Sequence, residues 1–140
     1  MAYDRKVVVT ASFEGQDYEV FGSNEYPAPY HTTRTVILTN DMPQGLLNFQ
    51  RRWGGECRTE IKVLAQRTDS RNVRIYGDLK LFEGTSEDTQ DLDGVTEVDF
   101  VCPKSTIMPY EVFVRNNAED DDDWAKVKMT VLNFPHIVDE

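Results

Sequence analysis

Between Trp124 and Leu132 polar and apolar residues alternate without a break, and this limits the fold more than any other feature of the chain. Ala125, Val127, Met129 and Val131 fall on one side, and Lys126, Lys128 and Thr130 on the other. A period of two is the signature of a strand with one buried face; a helix would scatter these residues around its circumference. The same grammar recurs upstream. Residues 6–13, 31–39, 57–66, 72–82, 95–101 and 110–115 are short, rich in β-branched or aromatic residues, and predict strands.

Turn chemistry separates these segments. Asn40–Gly45, Thr68–Arg71, Pro103–Ser105 and Asn116–Asp123 hold the Gly, Pro, Asn, Asp and Ser residues that turns select. Gly15-Gln16 predicts a hairpin into Tyr18–Phe21, and Pro27 and Pro29 predict an irregular loop over residues 22–30. Gly77 predicts a bend within strand 72–82. Residues 46–53 fit two periods, with Leu46, Phe49 and Trp53 at helical spacing and Leu47, Phe49 and Trp53 on one strand face. The following Gly54-Gly55 favours a strand. Residues 134–140 read as an edge extension or a frayed tail. The fold class expected is all-β, a single antiparallel β-sandwich of Greek-key or jelly-roll type. It would have eight or nine strands and span residues 1–140 as one domain.

Core material is sufficient for this: 39% of the 140 residues are hydrophobic, with seven Phe, six Tyr and two Trp. Cys57 and Cys102 fall on the apolar parity of their strands and are expected as buried, reduced thiols. The net charge of −10 repels phosphate backbones, which argues against a nucleic-acid partner, and disfavours docking on anionic lipid. Residues 50–80 run against this trend, carrying a local charge of +4 that reads as a solvated strand face. No signal peptide and no transmembrane run is visible, so a cytoplasmic location is expected.

Two acidic segments carry the chemical lead. One spans residues 83–94, with Glu83, Glu87, Asp88, Asp91 and Asp93; the other is Glu119–Asp123. Calcium takes six to eight oxygens, and carboxylates converging from separate loops of a sandwich supply them. Asp91-Leu92-Asp93-Gly94 has the alternation of a calcium loop. It is not an EF-hand: Thr89 stands where the first Asp should be, and Phe100 where the bidentate Glu should be. The candidate metal ligands are Glu83, Asp88, Asp91, Asp93, Asp122 and Asp123. Whether the two loops meet depends on topology, and solvated acidic loops are the alternative. Asn40, Asp41, Asn116 and Asn117 read as ordinary turn residues.

The partner-surface candidates are Trp124, Trp53 and Arg51. Trp124 lies on the polar parity of its strand beside Asp123, where a ring could stack on a sugar or touch a membrane or protein. Trp53 follows Arg51 and Arg52, an arrangement suited to cation–π and anion contacts, although packing at a strand end explains it equally. Tyr26, Tyr30 and His31 around two prolines form a third candidate surface. No phosphate loop, nucleophile elbow or zinc-spaced His/Cys set is present, and the chain has two histidines, His31 and His136. The function expected is a non-enzymatic calcium-binding module presenting a surface to a carbohydrate, membrane or protein partner. A metal-independent structural or self-associating domain is the alternative.

Overall fold

The computed structural model describes residues 4–17, 23–116 and 123–137. Eight strands form: β1 (Arg5–Gln16), β2 (His31–Leu38), β3 (Gln44–Trp53), β4 (Cys57–Arg67), β5 (Val73–Glu83), β6 (Leu92–Cys102), β7 (Thr106–Arg115) and β8 (Trp124–Pro135). They build two antiparallel sheets of four, ordered β2-β1-β8-β7 and β3-β4-β5-β6. The result is the β-sandwich that the alternation predicts. Among the described residues no helix is long and apolar enough to cross a membrane.

The wiring differs from a Greek key or jelly roll. Within each sheet, neighbours are consecutive in sequence except β1 and β8, and β2–β3 and β6–β7 step between the sheets. Strands therefore run up and down around a flattened ring. Local hairpins meet the needs of the chain, and one long-range pairing, β1 with β8, completes the first sheet.

Three boundaries also differ. Gly15 is not a turn: β1 runs through it, opposite Ala125, to Gln16 opposite Trp124. A glycine is needed because a Cβ there would sit 2.9 Å from Cζ2 of Trp53. Gly77 marks no bend but a close approach, since a Cβ would strike the Lys62 carbonyl on β4, and the β5–β6 register shift falls at Leu81/Phe82. β7 begins four residues earlier than its pattern predicts and accommodates Pro109, which an edge strand tolerates. The Tyr18–Phe21 strand lies outside the described residues. Of the expected tail, Phe134 and Pro135 belong to β8, and 138–140 lie outside the described residues.

Inward rows from both sheets make the core. Val7, Val9, Ala11 and Phe13 of β1 meet Ala125, Val127, Met129 and Val131 of β8, and Ile61, Val63, Ile75 and Leu79 face them from the second sheet. Both cysteines are buried and free. At one end the rows finish on polar groups. Arg5 is 1% exposed and Asn133 0%. Arg5 donates from Nε to Asn133 Oδ1 at 2.7 Å and from Nη2 to the Asn133 carbonyl at 3.2 Å. Asn133 Nδ2 in turn donates to the carbonyls of Arg71 and Cys102, each at 3.0 Å. This one amide joins β1, β8, the β4–β5 turn and the end of β6.

Asn133→Ala strips these contacts and leaves buried polar groups around the gap. It should cost about 3 kcal/mol, read as a fall in the urea midpoint at unchanged m-value. Adding Arg5→Met should recover part of the loss, because a buried cation no longer has to be satisfied. A single-variant cost below about 1 kcal/mol would remove this network from the stability of the fold.

Candidate functional site

The up-and-down wiring decides which loops share an end. The connections β1–β2, β3–β4, β5–β6 and β7–β8 all emerge at the end opposite Arg5 and Asn133. Both acidic segments belong to this set, so their flanking residues come together. Here too the inward rows end in polar side chains. Asp17 continues the inward row of β1, Asp123 precedes that of β8, Glu83 closes that of β5, Cys57 opens that of β4, and Asn116 follows that of β7.

Asp17 is 0% exposed and Asp123 1%. Ligand atoms of Asp17, Cys57 and Asp123 lie within 4.8 Å of one another, as do those of Asp17, Glu56 and Glu83. The two groups share Asp17. Backbone bonds hold the loops in place: Asp17 and Glu25 exchange N–H···O bonds of 2.7 and 2.9 Å, Asn116 N donates to the Asp123 carbonyl at 2.9 Å, and Gly84 N to the Glu56 carbonyl at 3.2 Å. Asn116 Nδ2 reaches Glu83 Oε2 at 3.4 Å. Gly54, at φ +68°, lets the chain pass under the carboxylates; a Cβ there would stand 2.6 Å from Asp17 Oδ2 and 2.8 Å from Glu25 Oε2.

Burial pushes the Cys57 thiol far above its usual range, and the charges of Asp123, Asp17 and Glu83 push it the same way. The thiol therefore sits in the cluster as a neutral group. Two ionised carboxylates about 5 Å apart repel by about 3 kcal/mol at an effective dielectric near 20. Such repulsion is relieved by hydrogen bonds within the chain, by protons or by a bound cation.

Of the residues the sequence singled out, Glu83 and Asp123 stand in this cluster. Asp93 is half-buried near the start of β6. Asp88 points elsewhere: its carboxylate pairs with Arg52 and is 81% exposed. The hydrogen bond from Arg52, and then its charge, hold Asp88 below the usual carboxylate range. Asp91 is exposed and contributes its carbonyl to Glu83 N at 3.2 Å. Asp122 lies outside the described residues. The 84–91 loop uses its acids as fasteners, since Glu87 Oε2 accepts from Gly55 N at 3.0 Å and the Glu87 carbonyl from Arg58 at 2.6 Å. Asn40 and Asp41 sit at the far end of the sandwich.

Sequence reasoning missed Asp17, Glu25, Glu56 and Cys57. The signal for Asp17 was parity: positions 7, 9, 11, 13, 15 and 17 form one row, which a turn at Gly15 cut short. Trp53 is 5% exposed and packs in the core, so it offers no partner surface. Arg51 is half-buried, its guanidinium 4.7 Å over the Tyr30 ring and 3.3 Å from the Ala28 carbonyl. Trp124 is half-buried on the outer face, stacked on Phe113 at 5.6 Å.

Trp124→Ala should cost about 1–2 kcal/mol, less than the ~3–5 kcal/mol of a core aromatic, because part of the ring already faces solvent. Urea unfolding of the variant measures this, and a loss above about 3 kcal/mol would place the ring in the core. The thiols give a second test. Cys57 and Cys102 both titrate higher folded than unfolded, chiefly through burial. The unfolded chain therefore releases protons first, and the thiol contribution is intact below about pH 8.5 and declines as pH rises above it. Unfolding free energy should fall between pH 8 and 10, less steeply in Cys57→Ala, and native Cys57 should resist iodoacetamide at pH 8. Prompt alkylation of the folded protein would contradict this burial.

No protein-family model matches this chain and no curated protein matches it, so the site is defined by its own residues and geometry.

Proposed function

We propose that this protein is a non-enzymatic calcium-binding β-sandwich module. Its acidic end holds the cation and, once rigid, presents a surface to a partner. The observation that carries the reading is the convergence of Asp17, Glu56 and Glu83 within 4.8 Å, with buried Asp123 alongside. Hard carboxylate oxygens from four separate strands and turns suit calcium's demand for many oxygen ligands. Asn116 and the backbone carbonyls nearby add neutral donors of the kind calcium accepts. Cys57 offers a softer ligand to the same space, but a thiol held neutral by burial and by neighbouring carboxylates favours an all-oxygen set.

The second reading is a metal-independent structural or self-associating domain. It draws on the outer face of the first sheet, where Ile107 is 59% and Phe134 37% exposed near half-buried Leu132 and Val8.

Melting curves in millimolar calcium and in chelator separate the two. A micromolar site would add about 4 kcal/mol at a thousandfold excess, a rise in Tm of roughly 10 °C or more. Asp17→Asn and Asp123→Asn should abolish the rise. In chelator the same variants should be neutral or more stable than the parent, because each removes one repelling charge. A curve that calcium leaves unmoved sinks the calcium reading. Zinc binding more tightly than calcium, with loss of the free Cys57 thiol, would reassign the pocket to a softer ion.

A further inference from the structure

Beside the acidic end, the outer face of the first sheet carries a cleft of about 500 Å³. Its floor is the last third of β1, where Ser12 and Glu14 point outward. Its walls are Tyr26 and Tyr30 from the β1–β2 connection, His31 at the start of β2 and Trp124 at the start of β8. The connection is pinned over the strand. Phe13 N donates to the Tyr30 carbonyl at 3.3 Å, Tyr26 Oη donates to Gln16 Oε1 at 3.2 Å, and the Phe13 and Tyr30 rings meet at 6.4 Å. Two surfaces that look unrelated in sequence, around Tyr26–His31 and at Trp124, thus line one cleft.

Its chemistry selects among ligands. Tyr26 is 61% and Tyr30 39% exposed, so aromatic rings face solvent. Hydroxyl, carboxylate and imidazole groups border them. The one carboxylate of the cleft is already balanced from the sheet beside it: Glu14 pairs with Lys126 at 3.2 Å and Lys128 at 3.4 Å, and Lys126 also with Glu111 at 3.6 Å. Arg51 occupies the cation position over Tyr30. A quaternary ammonium would find its carboxylate engaged and one ring taken, and an anion would find the lysines engaged. What fits is a neutral ligand with one apolar face and a rim of hydroxyls.

We infer that the cleft binds a neutral sugar ring, with its apolar face on the aromatic rings and its hydroxyls on Ser12 and His31. The inference deepens the calcium reading by naming the partner class, and it rests on that reading only for calcium's effect on affinity. The link is short: Glu25, bonded to Asp17, directly precedes Tyr26, and Asp123 directly precedes Trp124. A cation at the acidic end would fix both walls of the cleft.

The test uses methyl glycosides of glucose, galactose, mannose and N-acetylglucosamine, with cellobiose and lactose, by saturation-transfer NMR and calorimetry in calcium and in chelator. Saturable binding of at least one probe is expected, stronger in calcium. Tyr26→Ala, at an exposed position, should weaken it about fivefold, with Tm lowered by no more than a few degrees, while Tyr26→Phe, which keeps the ring, should retain most of the affinity. Absence of saturable binding by every probe overturns the inference, as does binding that neither Tyr26→Ala nor Trp124→Ala weakens. Binding of tetramethylammonium or a proline-rich peptide in place of the sugars overturns it equally. A calcium-induced rise in Tm with no sugar binding leaves the cation reading standing alone. Sugar binding that is the same in chelator, with no calcium effect on Tm, keeps the cleft and removes the cation.

Discussion

The pairing of β1 with β8 is the constraint on which the rest of the structure depends. All 12 residues of β1 face partners on β8, from Arg5 opposite Pro135 to Gln16 opposite Trp124. Every other neighbouring pair of strands within a sheet is a local hairpin. β1–β8 instead joins the two ends of the sequence, so it carries the largest loop-closure cost and is expected to form late. It also lies at the centre of its sheet, where its inward row supplies much of the core. Without it the first sheet separates into two hairpins, each with an apolar face exposed.

That same pairing sets up two poles. The inward row of β1 begins at Arg5 and ends at Asp17, about 40 Å apart at ~3.4 Å per residue. The matching row of β8 begins just after Asp123 and ends at Asn133. One pole is therefore closed by a guanidinium and an amide that satisfy each other and two backbone carbonyls. The other is closed by carboxylates from both sheets. Hydrogen bonding settles the first pole within the chain. The second brings several carboxylates of one sign close together, two of them buried.

Much of the fold was legible because alternation is strong. Burial of Ala125, Val127, Met129 and Val131, and of both cysteines, follows directly from parity. Strand ends were less legible, because glycine has two meanings. At Gly15 and Gly77 it permits close packing against Trp53 and against the Lys62 carbonyl, whereas local sequence reads it as a turn or bend. The up-and-down order was not legible, since identical strand patterns fit several wirings. For the site, local acid density was a partial guide. It found Glu83 and Asp123 but favoured Asp88, which belongs to Arg52, and passed over Asp17, which stands outside the two dense acidic runs.

Acids that are dense in sequence tend to be solvated, because neighbouring charges on one loop separate most easily in water. The 84–91 loop behaves this way: at the surface Asp88 pairs with Arg52 of β3 and Glu87 accepts from Gly55 N, which ties the loop to the sheet. Acids on an inward parity are different, whatever the acid density around them in sequence. Asp17 and Asp123 sit in the rows that elsewhere hold valine and alanine, and burying a carboxylate there costs far more than exposing it. The fold places two such carboxylates at adjacent strand ends. The connection following Asp17 and the strand following Asp123 carry the aromatic rings of the cleft. The pole and that surface are thus neighbours in the chain, with Glu25 directly before Tyr26 and Asp123 directly before Trp124.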